Sequence, residues 1–340
     1  MMQKIEIDLE YMPYIAGPPE TPKQLHQRAC TNDDPTIEKW KDAWVENARK
    51  NHELFGPFRD ASISQLFQTH LAKPAIVCGS GPSLVKNGAQ LKNKGPFGIV
   101  SCLHNFHFME DNDVDVDYYV TLDAGDITLD EISEGGKLTH EEYLERTSKH
   151  TLLAFIGCNN KLVKAWRGKI LWFHCPIPSN EVNDRLDEIE KFRVPISTGG
   201  NVLGASFYIT RAVLGAHPII FVGADFSFSY NKKFHGWDSS YDAAGVGQGF
   251  RHTDVYGIKV HTWPSYYNFK CWFESKVCMC PGIYINATEG GIFGAYNEGN
   301  IQQLRQMSLK QAMKIFTMSD EVKQTITGDP SSEEQRSLLF

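Results

Sequence analysis

From Pro74 to Glu289 the chain repeats one pattern: a short run that is apolar throughout, a helical or turn-forming segment, then another apolar run. The runs are "PAIVCG", "GPFGIVSC", "VDYYVTLD", "HTLLAFIGC", "KILWFHC", "PIIFVGAD" and "GIYINATE". A strand without polar alternation is buried on both faces, as in a parallel sheet covered by helices. Helical segments such as "NVLGASFYITRAVLGA" and "SYYNFKCWFESKV" supply the cover. The predicted fold is therefore α/β: a Rossmann-like, mostly parallel sheet with helices on both faces, plus a small N-terminal helical segment.

Three parts are expected along the chain. Residues 1–72 read as an N-terminal helical accessory segment. Its helix is "DDPTIEKWKDAWVENARKNHELF", with Pro35 at a favoured first position and Ile37, Trp40, Trp44 and Ala48 at helical spacing. A second short helix is expected over "ASISQLFQTHLA". Residues 73–300 form a nucleotide-binding transferase domain, and residues 301–340 a C-terminal helix and polar tail. With 340 residues, 41% of them hydrophobic, the chain can bury one large core with such appendages.

A net charge of −7 gives no whole-chain nucleic-acid footprint. No apolar stretch approaches the roughly 20 residues of a membrane span, and "MMQKIEIDLEYMPYIAG" lacks the pattern of a secretory signal. The expected location is cytoplasmic, where thiols stay reduced. The eight cysteines are mostly scattered through apolar runs, and the close pair Cys278 and Cys280 lacks the two-residue gap of a zinc knuckle. A homo-oligomer is left open.

In doubly wound sheets, ligands bind beyond the carboxyl ends of the strands. The residues there are 79–83, 104–105, 123–126, 158–160, 225–227 and 286–291, rich in Gly, Asn, Asp and Ser. In the turn after the first strand, Gly79 and Gly81 permit close backbone approach and Pro82 suits the start of a helix. Its amides, with the Ser80 and Ser83 hydroxyls, would face a phosphate; the alternative is a tight turn. The turn is neither a Walker A loop nor the three-glycine dinucleotide fingerprint. Thr198, Gly199, Gly200 and Asn201 open a long helix and form either a second anion or ribose site, or an N-cap with a glycine for close packing. Asp123, Asp126 and Asp225 end strands, where they would hold a hydrated Mg²⁺, bond a ribose or cap neighbouring amides. His252 and His261 are candidate proton acceptors near neutral pH, with His104 and His107 competing.

Taken together, "CGSGPSL", "VDYYVTLDAGD", "STGGNVLGASFYITRAVLGAHPIIFVGADFSF" and "INATEGG" resemble the MptE-like domain family, over residues 50 to 295. That family includes archaeal 6-hydroxymethylpterin diphosphokinases and the motility accessory factors that glycosylate flagellin. A more distant resemblance reaches bacterial sialyltransferases that use CMP-sialic acid. The resemblance implies that Gly79, Ser80, Gly81 and Ser83 line a nucleotide phosphate, and that Asn105 and Asp123 sit near the phosphate or donor sugar. It further implies that Thr198 and Gly199 contact base or ribose and that His261, with His252 in reserve, is the general base. Asp123 stands where the sialyltransferases carry asparagine, which suits a metal-bound phosphate.

Three functions follow as expectations. The first is a glycosyltransferase taking a nucleotide sugar, CMP-linked by preference, and a small-molecule, glycan or protein acceptor. The second is a diphosphokinase using ATP with Mg²⁺ on Asp123 and Asp225, its pterin-like acceptor stacked on Phe106, Trp263 or Tyr266. The third is a nucleotide-binding module without turnover.

Overall fold

The computed structural model describes residues 33–191, 195–228, 250–295 and 304–317. The tail from Met318 and Cys30 lie outside the described residues.

Helix α1 (Asp33–Phe55) leads into β1 (Ala75–Cys78), α2 (Leu84–Asn87), β2 (Gly98–Cys102), α3 (Phe106–Asp111) and β3 (Tyr118–Thr121). Then come α4 (His140–Arg146), β4 (Thr151–Phe155), α5 (Asn160–Ala165), β5 (Lys169–Phe173) and α6 (Asn180–Ile189). Next are α7 (Val202–Tyr208), continued by a π-helical turn at Ile209–Val213, and β6 (Ile219–Val222). The hairpin strands β7 (Phe250–Thr253) and β8 (Lys259–Thr262) precede α8 (Pro264–Met279), β9 (Tyr284–Asn286), β10 (Leu304–Gln306) and α9 (Leu309–Thr317).

Among the described residues, eight strands form one sheet in the order β10-β9-β6-β1-β2-β3-β4-β5, and every pairing in it is parallel. All seven apolar runs read as strands lie in it. Ile76, Val77, Ile99, Leu152, Leu153, Ile219 and Ile220 are fully buried. Each such side chain contributes about 1.5–3 kcal/mol relative to exposure. The chain steps outward from β1 to β5, then returns with β6 on the other side of β1. Strand order therefore reverses between β1 and β6, and the crevice beyond their carboxyl ends is the place such a sheet offers a ligand.

Helix α1 is pinned to this crevice's neighbourhood. Asn47 Nδ2 donates to the Ala124 carbonyl at 3.2 Å, and Asn51 Nδ2 donates to Ile156 and Cys158 carbonyls at 3.0 and 3.1 Å. The second expected helix is absent: 3₁₀ turns at Phe58–Ala61 and Ile63–Leu66 take its place. The Ser62 hydroxyl accepts from Ser64 N–H, a local bond that competes with helix formation. Gln68, His70 and Ala72 then donate to the carbonyls of Val213, Leu214 and Gly215 rather than to their own turn. Strand β10 and the β7–β8 hairpin were not foreseen from the sequence. The hairpin stands apart as its own two-stranded sheet.

Candidate functional site

The turns after β1 and β6 cross at close range. Gly79 N–H donates to the Val222 carbonyl and Gly81 N–H to the Gly223 carbonyl, each at 2.8 Å. A Cβ on Gly79 would lie 2.5 Å from the Gly223 oxygen, and one on Gly223 would lie 2.4 Å from the Gly79 oxygen. Only glycine lets the two backbones meet. Ser83 N–H reaches both carboxylate oxygens of Asp225 at 3.3 and 3.4 Å, and the Ser83 hydroxyl donates to Asp225 Oδ2 at 2.6 Å. The amides expected to meet a phosphate are thus engaged by the protein: carbonyls take those of Gly79 and Gly81, and a buried carboxylate takes that of Ser83. Pro82 is buried. The Ser80 amide takes no acceptor among the described residues.

Beside this crossing lies a cavity of about 330 Å³ that runs along the strand ends from the β6 side to the β3 side. At the β6 end its walls include Phe226, Ser227 and Asn201, with Tyr266 and Phe269 from α8. Ser80, Gly81 and Cys102 line the middle, and Thr121, the last residue of β3, lines the β3 end. At the β3 end stand His104, Asp123, Gly125, Ile127 and Glu131, closed by Trp40 from α1.

The electrostatics are concentrated at the β3 end. Asp123 is exposed, and the space it is exposed to is the cavity, where surrounding protein displaces part of the bulk water. That loss of bulk water, followed by the Glu131 charge, pushes its pKa up to about 6, with His104 pulling the other way. His104 Nδ1 lies 3.4 Å from Glu131 Oε2. Thr121 lines the cavity, and its hydroxyl is buried with no hydrogen-bond partner among the described residues. A buried polar group without a partner costs about 1–3 kcal/mol. Burial raises the Cys102 thiol to about 12, which leaves it protonated and a poor nucleophile.

The residues predicted from sequence divide into three groups. Ser80, Gly81, Asp123 and Asp225 line the cavity. Gly79, Pro82 and Ser83 build the turn beneath it. Asn105, Thr198, Gly199 and Gly200 are absent from its lining. Asn105 is fully buried, and its Nδ2 donates to the Cys78 and Gly79 carbonyls and to Ser101 Oγ, tying β2 to the end of β1. The Thr198 hydroxyl accepts from Gly200 N–H at 3.2 Å, and Asn201 caps α7 by accepting from Gly204 N–H at 2.8 Å. Gly199 has φ 61°, and a Cβ there would fall 2.1 Å from the Trp272 ring. The N-cap-with-packing alternative describes this loop, with Asn201 alone reaching the cavity.

The two favoured histidines also lie elsewhere. Arg251 pairs with His261 and His252 with Val260, so the histidines project from opposite faces of the hairpin. His252 is buried with Nδ1 2.7 Å from the Thr253 carbonyl. Burial, then the Arg251 charge, lowers the His261 pKa. Among the described residues, His104 is the histidine on the cavity wall. His107 is buried in α3, where burial and then His104 bring its pKa to about 4 and keep it neutral. Of the aromatics expected to stack on a ring, Tyr266 lines the cavity. Phe106 is core, its ring 5.0 Å from Tyr119, and Trp263 packs on Phe228.

The carboxylate pair expected to hold Mg²⁺ does not fit that ion. Asp225 is buried with both oxygens on Ser83, whereas Mg²⁺ requires carboxylates open to it and to its waters. Asp126 is exposed and bound to Lys161 at 2.6 Å and to Asn159 at 3.1 Å. Sequence reading missed Thr121, Glu131 and Phe269, and took Trp40 only as part of a helical stripe. Trp40 does obey that stripe, and Glu131 sits in a 3₁₀ stretch (Asp126–Ile132) that carries no motif.

No curated protein matches the chain. Among solved structures, the fold is similar to the MAf glycosyltransferase from Magnetospirillum magneticum AMB-1, with 13% identity and a TM-score of 0.52. The alignment covers 88% of this chain and 49% of that one, so this chain spans about half the length of that structure. At this identity the likeness is one of fold. Residues 43–231 match the family described as MptE-like, 6-hydroxymethylpterin diphosphokinase MptE-like. That stretch runs from α1 through β6 and contains both turns of the crevice. It is more than half of the sequence, and the chain belongs to the MptE-like family.

Proposed function

We propose that the protein is a nucleotide-dependent glycosyltransferase whose donor is a CMP-linked sugar. Family membership and the fold of its structural neighbour support a transferase. The observation that carries the finer reading is the charge of the cavity. Among its described lining residues there is no lysine or arginine, while Asp123, Glu131 and Asp225 are all present. Among these residues a nucleoside di- or triphosphate would meet no countercharge. A CMP-linked sugar carries a single phosphodiester charge and asks for the least compensation.

In this reading the nucleoside rests against Tyr266 and Phe269, and the phosphate faces the Ser80 amide. The acceptor hydroxyl oxygen attacks the anomeric carbon as the bond from that carbon to the phosphate oxygen breaks. The electron pair leaves with CMP, and the hydroxyl proton passes to the Asp123 carboxylate. A base with a pKa near working pH is well matched to that task, and such assistance is worth on the order of 10²–10⁴-fold in rate. Asp123 therefore replaces His261 and His252 as the proton acceptor, with His104 and Glu131 holding the charge around it.

The family description favours a second reading, a diphosphokinase using ATP and Mg²⁺. One panel separates the two: thermal melting with CMP, CDP, UDP, GDP and ATP, each with and without Mg²⁺. A ligand bound by the native state raises Tm by mass action. A rise with CMP that does not need Mg²⁺ is expected; a rise with ATP that appears only with Mg²⁺ would replace the glycosyl reading by the diphosphokinase.

A further inference from the structure

The wall that closes the β3 end of the cavity comes from outside the family match, which begins at residue 43. It is Trp40, on the N-terminal helix α1. Its half-buried indole lines the cavity and packs against the backbone at Gly125, where an added Cβ would lie 3.2 Å from the ring edge. The helix cannot drift from this position easily: Asn47 is bonded to the carbonyls of Ala124 and Gly157, and Asn51 to those of Ile156 and Cys158. Lys39 lies over the same indole, its ammonium 4.8 Å from the ring centroid. Beside the indole, Ile127 is exposed, and Asp123 and Glu131 line the cavity.

We infer that Trp40 is the specificity-determining platform of an acceptor subsite, and that the acceptor is a hydroxylated saturated ring, a pyranoside. A rigid indole offers a flat apolar surface to the C–H face of such a ring at low entropic cost. The neighbouring carboxylates accept hydrogen bonds from its hydroxyls. One of these carboxylates, Asp123, is the proposed proton acceptor, so a ring laid on Trp40 brings its hydroxyls to the group that must deprotonate one of them. The apolar plane and the acceptor atoms come from different parts of the chain, α1 and the β3 end, and Gly125 is the point where they meet. This inference rests on the glycosyl-transfer reading.

The test uses the full chain and a panel of methyl glycosides (α- and β-galactoside, α-glucoside, α-mannoside), with 6-hydroxymethylpterin as the planar alternative and CMP as the nucleotide. Titrations are followed by calorimetry, and by tryptophan fluorescence of the wild type minus that of Trp40→Phe. At least one glycoside is expected to bind saturably and to change the difference signal. Trp40→Ala should weaken that glycoside tenfold or more, a loss at least five times larger than its effect on CMP, while Trp40→Phe should stay within about threefold of the wild type. If Trp40→Ala fails to fold, the difference signal and Trp40→Phe still report the contact. Glycosides that bind without moving the difference signal, a Trp40→Ala loss that falls on CMP, or pterin binding in place of every glycoside would each overturn the platform. If CMP itself does not bind the wild type, the glycosyl reading fails first; CMP binding with no glycoside bound defeats the platform alone.

Discussion

The two sides of the switch-point crevice use polar groups in opposite ways. Under the β1–β6 crossing, Gly79 and Gly81 donate to the Val222 and Gly223 carbonyls and Ser83 donates to Asp225, so a buried carboxylate stands against the turn that sequence reading assigned to an anion. At the β3 end, Asp123 faces the cavity with a raised pKa, Thr121 keeps a hydroxyl with no partner among the described residues, and Glu131 and His104 sit beside them. The first arrangement has spent its hydrogen bonds on holding two turns together. A motif rich in glycine and serine therefore builds the scaffold here, and in the proposed reading proton transfer belongs to the carboxylate two strands away.

The sharpest way to break this contrast is Asp123→Asn. It keeps shape and removes the base, so turnover of the CMP-linked donor should fall by about 10²–10⁴-fold, the usual worth of general-base assistance. The readout is CMP release under saturating acceptor, with donor affinity measured separately. Turnover within a few-fold of the wild type would take the base away from the β3 end.

The converse change is Asp225→Ala, which should act on the scaffold. It strips the acceptor from the Ser83 amide and hydroxyl in a buried setting. The expected loss is about 2–4 kcal/mol of stability, measured by urea unfolding, because a buried donor left without a charged acceptor carries its desolvation cost. An Asp225→Ala protein of unchanged stability would mean that the carboxylate is there for a ligand after all.

What the sequence disclosed follows the same division. Seven of the eight strands in the main sheet were legible because a strand buried on both faces has no polar alternation to disguise it. Three-residue β10 was not, since "LRQ" leaves two side chains exposed and carries no apolar run. The 79–83 turn was conspicuous because its glycines are required by geometry. Nothing in the sequence distinguishes a glycine needed by a crossing loop from one needed by a phosphate; that difference lies in Gly223 and Asp225, more than 140 residues away. Asp123 was legible from its place after a strand. Its neighbours were not: Glu131 arrives by a 3₁₀ stretch, and Trp40 by a helix whose apolar stripe reads as core. His261 and His252 were drawn from a motif-like position, but the antiparallel hairpin that holds them turns them to opposite faces.

The aromatic β6 end gives a smaller and separable effect. Tyr266 stands 5.5 Å from Phe228 and 5.4 Å from Trp263 by ring centroids, part of an aromatic group that α8 presents to the cavity. Removing one aromatic contact worth about 0.5–1.5 kcal/mol weakens binding by up to about tenfold. Tyr266→Ala should therefore weaken CMP by that factor while leaving glycoside affinity closer to the wild type, the mirror image of Trp40→Ala. If both variants weakened both ligands equally, the cavity would be one site without the two ends described above.

The finest effect lies in pH. Asp123 has its pKa raised to about 6 by the loss of bulk water around it first and by Glu131 second, above the ordinary aspartate value of about 4. For a base that must be ionised, turnover should rise with pH through a midpoint near 6. Stability moves the other way. A raised carboxyl pKa favours the folded state while the group is protonated, and that contribution fades as pH climbs from about 4 through about 6. Asp123→Asn should thus gain in Tm relative to the wild type across that window and hold the gain above it. Glu131→Gln removes the like charge but leaves the loss of bulk water, so the midpoint of the pH–rate profile should fall without disappearing. A midpoint that does not move would leave that loss as the whole cause and make Glu131 a partner of His104 only; one that moves upward would mean that Glu131 does not bear on Asp123 as a like charge at all.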